Sequence, residues 1–170
     1  MWDLLVFTLY LALLCLALRR VLLRKDTTAT IRVATVCDEG ASTPMFKTLD
    51  AACADMFAHT PEAIVLQPGH LKKIPTGLRV HLPDHHEMQI RSRSGLAKRG
   101  IVVANSPGTI DADYRDEIFI LLHNTSPTPF EITQGARIAQ CTVRPVPRVV
   151  FDVVESIPST GRGGFGSTGY

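Results

Sequence analysis

The strongest constraint on this chain is a succession of short apolar runs, each closed by glycine or proline. From Ile31 onward they read IRVATV, AIVLQPG, LKKIPTGLRVHLP, EMQIRSR, GIVVAN, EIFILLHN, ARIAQCTVRPV and RVVFDVV. Such runs are too short and too often broken for helices, whereas many short strands with regular Gly/Pro turns indicate an all-β sandwich or barrel of jelly-roll type. Ala51 to Ala58 suits a short helix or a strand, and its pattern does not choose between them. After Ile157 the chain becomes PSTGRGGFGSTGY, too rich in Gly, Ser and Thr to hold a fold alone. The expected organisation is a hydrophobic segment over 1–25, a linker over 26–30, a β domain over 31–158 and a tail over 159–170.

Leu4 to Leu18 read LLVFTLYLALLCLAL without a charge and precede Arg19, Arg20, Arg24 and Lys25. As a helix this run spans about 22 Å, and Met1, Trp2 and Val21 to Leu23 can lengthen it toward the ~30 Å hydrocarbon core of a bilayer. Its apolar residues run all round, without the periodicity of a buried face. A membrane anchor is expected, with the following domain on the cytoplasmic side because the basic residues come after the run. A cleaved signal peptide fits less well, since Asp3 stands where basic residues belong.

The chain holds 18 Lys and Arg against 16 Asp and Glu; the first 26 residues hold four basic and two acidic ones, which leaves 14 of each beyond. A neutral domain argues against a nucleic-acid surface. Cys15, Cys37, Cys53 and Cys141 form no C-x-x-C pair, so neither a zinc site nor a redox pair is suggested. His85 and His86 follow Pro83-Asp84 and read as a polar turn.

Three local features are candidates for chemistry. Arg93-Ser94-Gly95 offers a guanidinium, a hydroxyl and an unhindered N–H, a phosphate cradle or an ordinary turn. Asp111 and Asp113 stand two apart, on one side if the segment is extended, so one can act as general base; the alternative is a solvated surface turn. The tail GRGGFGSTG suits a lid over a base and its phosphates, or a plain flexible terminus.

In their order, five segments across roughly residues 31 to 169 resemble the trimeric dUTPase family. They are Ala51-Ala-Cys-Ala-Asp-Met-Phe-Ala58, Arg93-Ser-Gly-Leu-Ala97, Asn105 through Gly108-Thr-Ile-Asp-Ala-Asp-Tyr114, Gly135-Ala-Arg-Ile-Ala-Gln140, and Gly163-Gly-Phe-Gly-Ser-Thr-Gly169. The resemblance implies hydrolysis of dUTP to dUMP and pyrophosphate, with Mg²⁺, in a homotrimer with shared sites. It implies that Asp111 activates the attacking water and that Asp55 holds Mg²⁺ through the ion's water shell. Ser94, Gly95 and Gln140 would bind phosphate, with Arg93 and Arg137 in support. Asn105 and hairpin backbone groups would read uracil, and Tyr114 would pack beneath deoxyribose. Phe165 would stack on the base while Arg162, Ser167 and Thr168 reach the phosphates. Two positions depart from the pattern: Cys53 stands for a glycine, with backbone strain expected if φ is positive there, and Arg162 sits in an altered tail spacing. The competing readings are a nucleotide-binding regulatory module of the same fold and a dCTP deaminase, the latter disfavoured by the Asp-x-Asp-Tyr arrangement.

Overall fold

The structure, a computed structural model, describes residues 30–161. Eleven strands and one helical turn follow in order: β1 (Ala34–Cys37), β2 (Ala54–Phe57), β3 (Ile64–Leu66), β4 (Leu71–Pro75), β5 (Leu78–His81), β6 (His86–Arg91), α1 (Ser94–Ala97), β7 (Ile101–Val103), β8 (Gly108–Ile110), β9 (Phe119–Asn124), β10 (Phe130–Ile132) and β11 (Arg137–Pro145). They pair only antiparallel, in small sheets ordered β1-β5, β10-β3, β2-β11-β6-β8 and β4-β9-β7. The all-β expectation therefore holds for the described residues.

Strand alternation sorts the core from the surface. On β6, Met88 and Ile90 are buried, while Glu87, Gln89 and Arg91 are half-buried on the other face. There Gln89 Nε2 donates to Glu87 Oε1 at 2.6 Å and Arg91 Nη2 to Gln89 Oε1 at 2.7 Å. On β9, Ile120 and Leu122 join Leu66, Ile74 and Ile138 in the interior. Each such side chain contributes about 1.5–3 kcal/mol by leaving water. Asn124 ends β9 fully buried, and its polar atoms are satisfied. Its Nδ2 donates to Leu66 O and Thr128 O, and its Oδ1 accepts from Ser126 N and Oγ. A buried amide tied at four points fixes the β9–β10 turn.

Several elements differ from the sequence reading. Ala51 to Ala58 resolves as a bend and then strand β2, because residues 54–57 pair with β11. β8 and β10 were not expected: at three residues each they carry too little alternation to be seen. RVVFDVV, expected as a strand, has no ladder partner among the described residues, and its Val149, Val150, Phe151, Val153 and Val154 are exposed. The expected turn does form at Asp84-His85, with His85 at φ 59°. The hydrophobic segment over 1–25, and with it the expected N-terminal helix, lies outside the described residues. Among the described residues no helix is long and apolar enough to cross a membrane.

Candidate active site

β11 runs between β2 and β6, and its register brings three sequence segments side by side. Gln140 lies opposite Asp55 on one flank and Arg91 on the other. Asp55 is 9% exposed, and its main chain also bridges to Met45. Its carboxylate accepts from Arg93 Nε at 2.9 Å through Oδ1 and from Arg137 Nη1 at 3.0 Å through Oδ2. Arg93 Nη1 also donates to Arg137 O at 2.9 Å. One carboxylate thus holds two guanidiniums in place, so little side-chain entropy remains to be lost when an anion docks on them. Gln140 Nε2 donates to Ser92 O at 3.2 Å, which fixes the chain just before Arg93.

Ser94 and Gly95 open α1 and are exposed. They precede the first intrahelical donors, since Leu96 and Ala97 N–H both bond Arg93 O. No atom lies within 4 Å of where a Cβ on Gly95 would be. Asn105 is fastened to this end of the molecule through Ser92, whose Oγ accepts from Val103 N at 2.9 Å and whose N–H donates to Ser106 Oγ at 3.2 Å. Gly108 lies against it: a Cβ there would stand 2.9 Å from Asn105 Nδ2, so that side chain would have to shift.

Asp111 follows β8 at the other end of β6 and is exposed. It borders a hollow of about 310 Å³ with His85, His86, Glu87 and Arg148. The segment is a turn and not an extended strand, with Tyr114 N–H donating to Asp111 O at 3.2 Å. The condition for Asp111 and Asp113 to share a side by strand alternation is therefore not met. Arg115 Nη1 donates to Ala112 O at 2.6 Å and Tyr114 O at 2.9 Å. Tyr114 is half-buried and donates its hydroxyl to Glu117 O at 2.8 Å. Glu117 Oε1 accepts from Gly77 N–H at 2.8 Å. The sequence reading missed Arg115 and Glu117, because they act on backbone groups that only folding brings within reach.

The structure brings Asp55, Arg93, Arg137 and Gln140 together, with Ser94 and Gly95 adjoining. It does not bring Asp111 to them within one chain. Ile110 pairs with Met88, so Asp111 stands level with Glu87, six residues before Arg93. The strand covers four of those steps, to Arg91, about 13 Å at ~3.3 Å per residue, and Arg93 lies beyond its end. Arg162, Phe165, Ser167 and Thr168 lie outside the described residues.

Cys53 is not strained: among the described non-glycine residues only His85 has positive φ. Cys141, buried on β11 opposite Ala54, has its thiol pushed up to about 12 by burial, with Cys53 nearby adding to the shift. It behaves as an inert core residue.

The geometry agrees with what known proteins share with this chain. The dUTPase family's sequence profile matches residues 40–169. The deoxyuridine 5'-triphosphate nucleotidohydrolase of Roseobacter denitrificans is 47% identical over 136 residues, covering 78% of this chain and 90% of its own. That of Cytophaga hutchinsonii is 46% identical over 155 residues, covering 89% and 99%. Among solved structures, a mutant dUTPase of Staphylococcus bacteriophage 80alpha with dUpNHpp superposes with a TM-score of 0.71 at 25% identity, covering 84% of this chain and all of that one. With its ordered segments gathered as described and its profile matched from residue 40 to the tail, the chain belongs to the dUTPase family.

Proposed function

We propose that this chain hydrolyses dUTP to dUMP and pyrophosphate. The observation that carries the reading is the Asp55 carboxylate holding Arg93 and Arg137 beside Gln140, an anion site set before any ligand arrives. Ser94, Gly95 and Gln140 bind phosphate oxygens, and the two guanidiniums offset their charge. Asp111 takes a proton from water as the water oxygen bonds to the α-phosphorus and the α–β bridging oxygen leaves with pyrophosphate. Asn105 and hairpin backbone groups read the uracil edge, and Tyr114 lies under the sugar. From the tail, Phe165 stacks on the base, and Arg162, Ser167 and Thr168 contact the phosphates.

The site is shared in a homotrimer. Two observations support this: Asp111 stands level with Glu87 while Arg93 lies beyond the far end of β6, whose residues 87–91 alone span about 13 Å, and the apolar stretch from Val149 to Ile157 is exposed, with Phe151 at 89% and Ile157 at 83%. Such a stretch needs a surface outside its own domain to cover it. Three-fold symmetry would repeat the same exchange at each site.

Mg²⁺ fits this donor set in one way. Two of the lone-pair positions of Asp55 are taken by guanidinium N–H groups, which disfavours direct ligation beside two positive charges but leaves acceptors for metal-bound water. Asp55 would hold an ion bound chiefly by substrate phosphates and its own waters, as Mg²⁺ prefers. When bound, the ion would neutralise developing phosphate charge. The segment over 1–25 would associate the protein with membranes, its catalytic domain on the cytoplasmic side; the uncharged run Leu4 to Leu18 followed by four basic residues supports this.

The test is release of pyrophosphate from dUTP, dCTP, UTP and dTTP, each with and without Mg²⁺. Metal-dependent turnover of dUTP at least a hundredfold above the others is expected, as roughly follows when a site hydrogen-bonds one base and excludes a 2′-hydroxyl. Equal turnover of dCTP, or ammonia release from it, would overturn the reading.

A further inference from the structure

The hollow of about 310 Å³ beside Asp111 has a fixed rim and one unspent cation. Pro145 closes the β11 ladder opposite His86, and the next residue, Val146, donates its N–H to His85 O at 2.6 Å. His85 holds φ 59°, a conformation that a non-glycine residue keeps only when its surroundings impose it. His86 Nδ1 and Asp84 O stand 2.9 Å apart. These contacts and the stiff ring of Pro147 settle where the chain enters Arg148. Arg148 is exposed, and it is the one Lys or Arg among the described residues that borders the hollow. Among those residues its guanidinium enters no ion pair. The acids there are Asp111 and Glu87, and Glu87 already accepts from Gln89 Nε2 at 2.6 Å.

We infer that Arg148 binds the α-phosphate of the nucleotide on the Asp111 side of the site. The inference rests on the reading of Asp111 as the base. A water held by that carboxylate at hydrogen-bond length, and aimed at phosphorus from about 3–3.5 Å, brings the α-phosphoryl group to within roughly 6 Å of Asp111. A phosphate drawn so close to two carboxylates is repelled unless a cation stands with them. Arg93 and Arg137 are tied to Asp55 at the other end of the sheet, and in the shared-site arrangement they come from another copy. Arg148 comes from the same chain and the same hollow as the base. Its planar fork suits two phosphate oxygens, and the charge it offsets grows as the water attacks.

The experiment measures binding of dUMP and of deoxyuridine by calorimetry on the full chain and on its Arg148→Ala and Arg148→Lys variants, with pyrophosphate release from dUTP and thermal unfolding recorded for each. The two ligands differ only in the α-phosphate, so the ratio of their affinities reads that contact. Alanine should cut the dUMP-to-deoxyuridine ratio about tenfold, the scale of one hydrogen bond to a charged group, and lower kcat/KM for dUTP roughly ten- to a hundredfold. Lysine, a point charge without the fork, should lose less of both. A merely structural role would lower the unfolding temperature and weaken both ligands alike, which would refute the assignment. An unchanged ratio in Arg148→Ala, while the unaltered chain hydrolyses dUTP, overturns the inference about Arg148 alone; an unaltered chain that neither binds dUMP nor hydrolyses dUTP overturns the proposed function with it. Refolded mixtures test the same placement. Paired with Arg93→Ala, the Arg148→Ala chain should recover toward about a quarter of full activity, and paired with Asp111→Asn it should not recover. Recovery with Asp111→Asn would put Arg148 in the opposite half of the site, and the inference would fall.

Discussion

The separation of Asp111 from Arg93 leads to a complementation experiment with a numerical outcome. In one chain Asp111 stands level with Glu87 and Arg93 lies beyond the far end of β6, whose residues 87–91 alone span about 13 Å, so a single site should take them from different copies. An Asp111→Asn chain loses the proton acceptor, and its pure trimer should retain roughly 10⁻² to 10⁻⁴ of full activity. On the proposed reading an Arg93→Ala chain loses a charge-assisted phosphate contact worth about 3 kcal/mol, or roughly a hundredfold in rate. Unfolded together in equal amounts and refolded, the two chains should mix at random around the three-fold axis. About a quarter of sites would then draw aspartate from the Arg93→Ala chain and arginine from the Asp111→Asn chain, and those sites are intact. Initial rates of pyrophosphate release should rise from about 1% toward about 25% of the unaltered enzyme. If each site used one chain for both groups, every site would keep one defect. Mixed trimers verified by native mass spectrometry that remain near 1% would refute the shared-site reasoning.

Gly108→Ala places a Cβ about 2.9 Å from Asn105 Nδ2 and should displace the amide proposed to read the base. KM for dUTP should rise about tenfold with kcat nearly unchanged; a fall in kcat at constant KM would contradict the assignment. Cys141, its thiol pushed from 9.0 up to about 12, should resist iodoacetamide at pH 8 while half-exposed Cys37 and Cys53 react, as peptide mapping would show. Because the raised value belongs to the folded state, stability from this group is complete below pH 9 and is lost as pH climbs toward 12. A urea midpoint that does not fall across that window would count against the burial described here. Deleting residues 1–26 should give a fully active enzyme that needs no detergent, and full-length protein recovered in the soluble fraction without detergent would end the anchor reading.

Much of the fold was legible because it rests on local periodicity. Alternation along residues 86–91 and 119–124, and the Pro75-Thr76-Gly77 break between β4 and β5, announce strands and turns from the order of residues alone. The residue types of the site were legible too, since a guanidinium beside Ser94 and Gly95 or a carboxylate at Asp111 has chemistry wherever it stands. What stayed hidden depends on contacts between distant residues. Ala51 to Ala58 is ambiguous until β11 pairs with it, and the strand-like 148–154 cannot announce that it pairs with no strand among the described residues. Arg93 and Arg137 meet Asp55 across 38 and 82 residues, a juxtaposition created by the register of β11. Glu117 and Arg115 gain their parts by touching main-chain groups, which every residue possesses and no motif marks. Side-chain period and turn chemistry act between near neighbours and are written residue by residue. Register, burial and the distance between Asp111 and Arg93 belong to the paired sheet, and only the folded chain decides them.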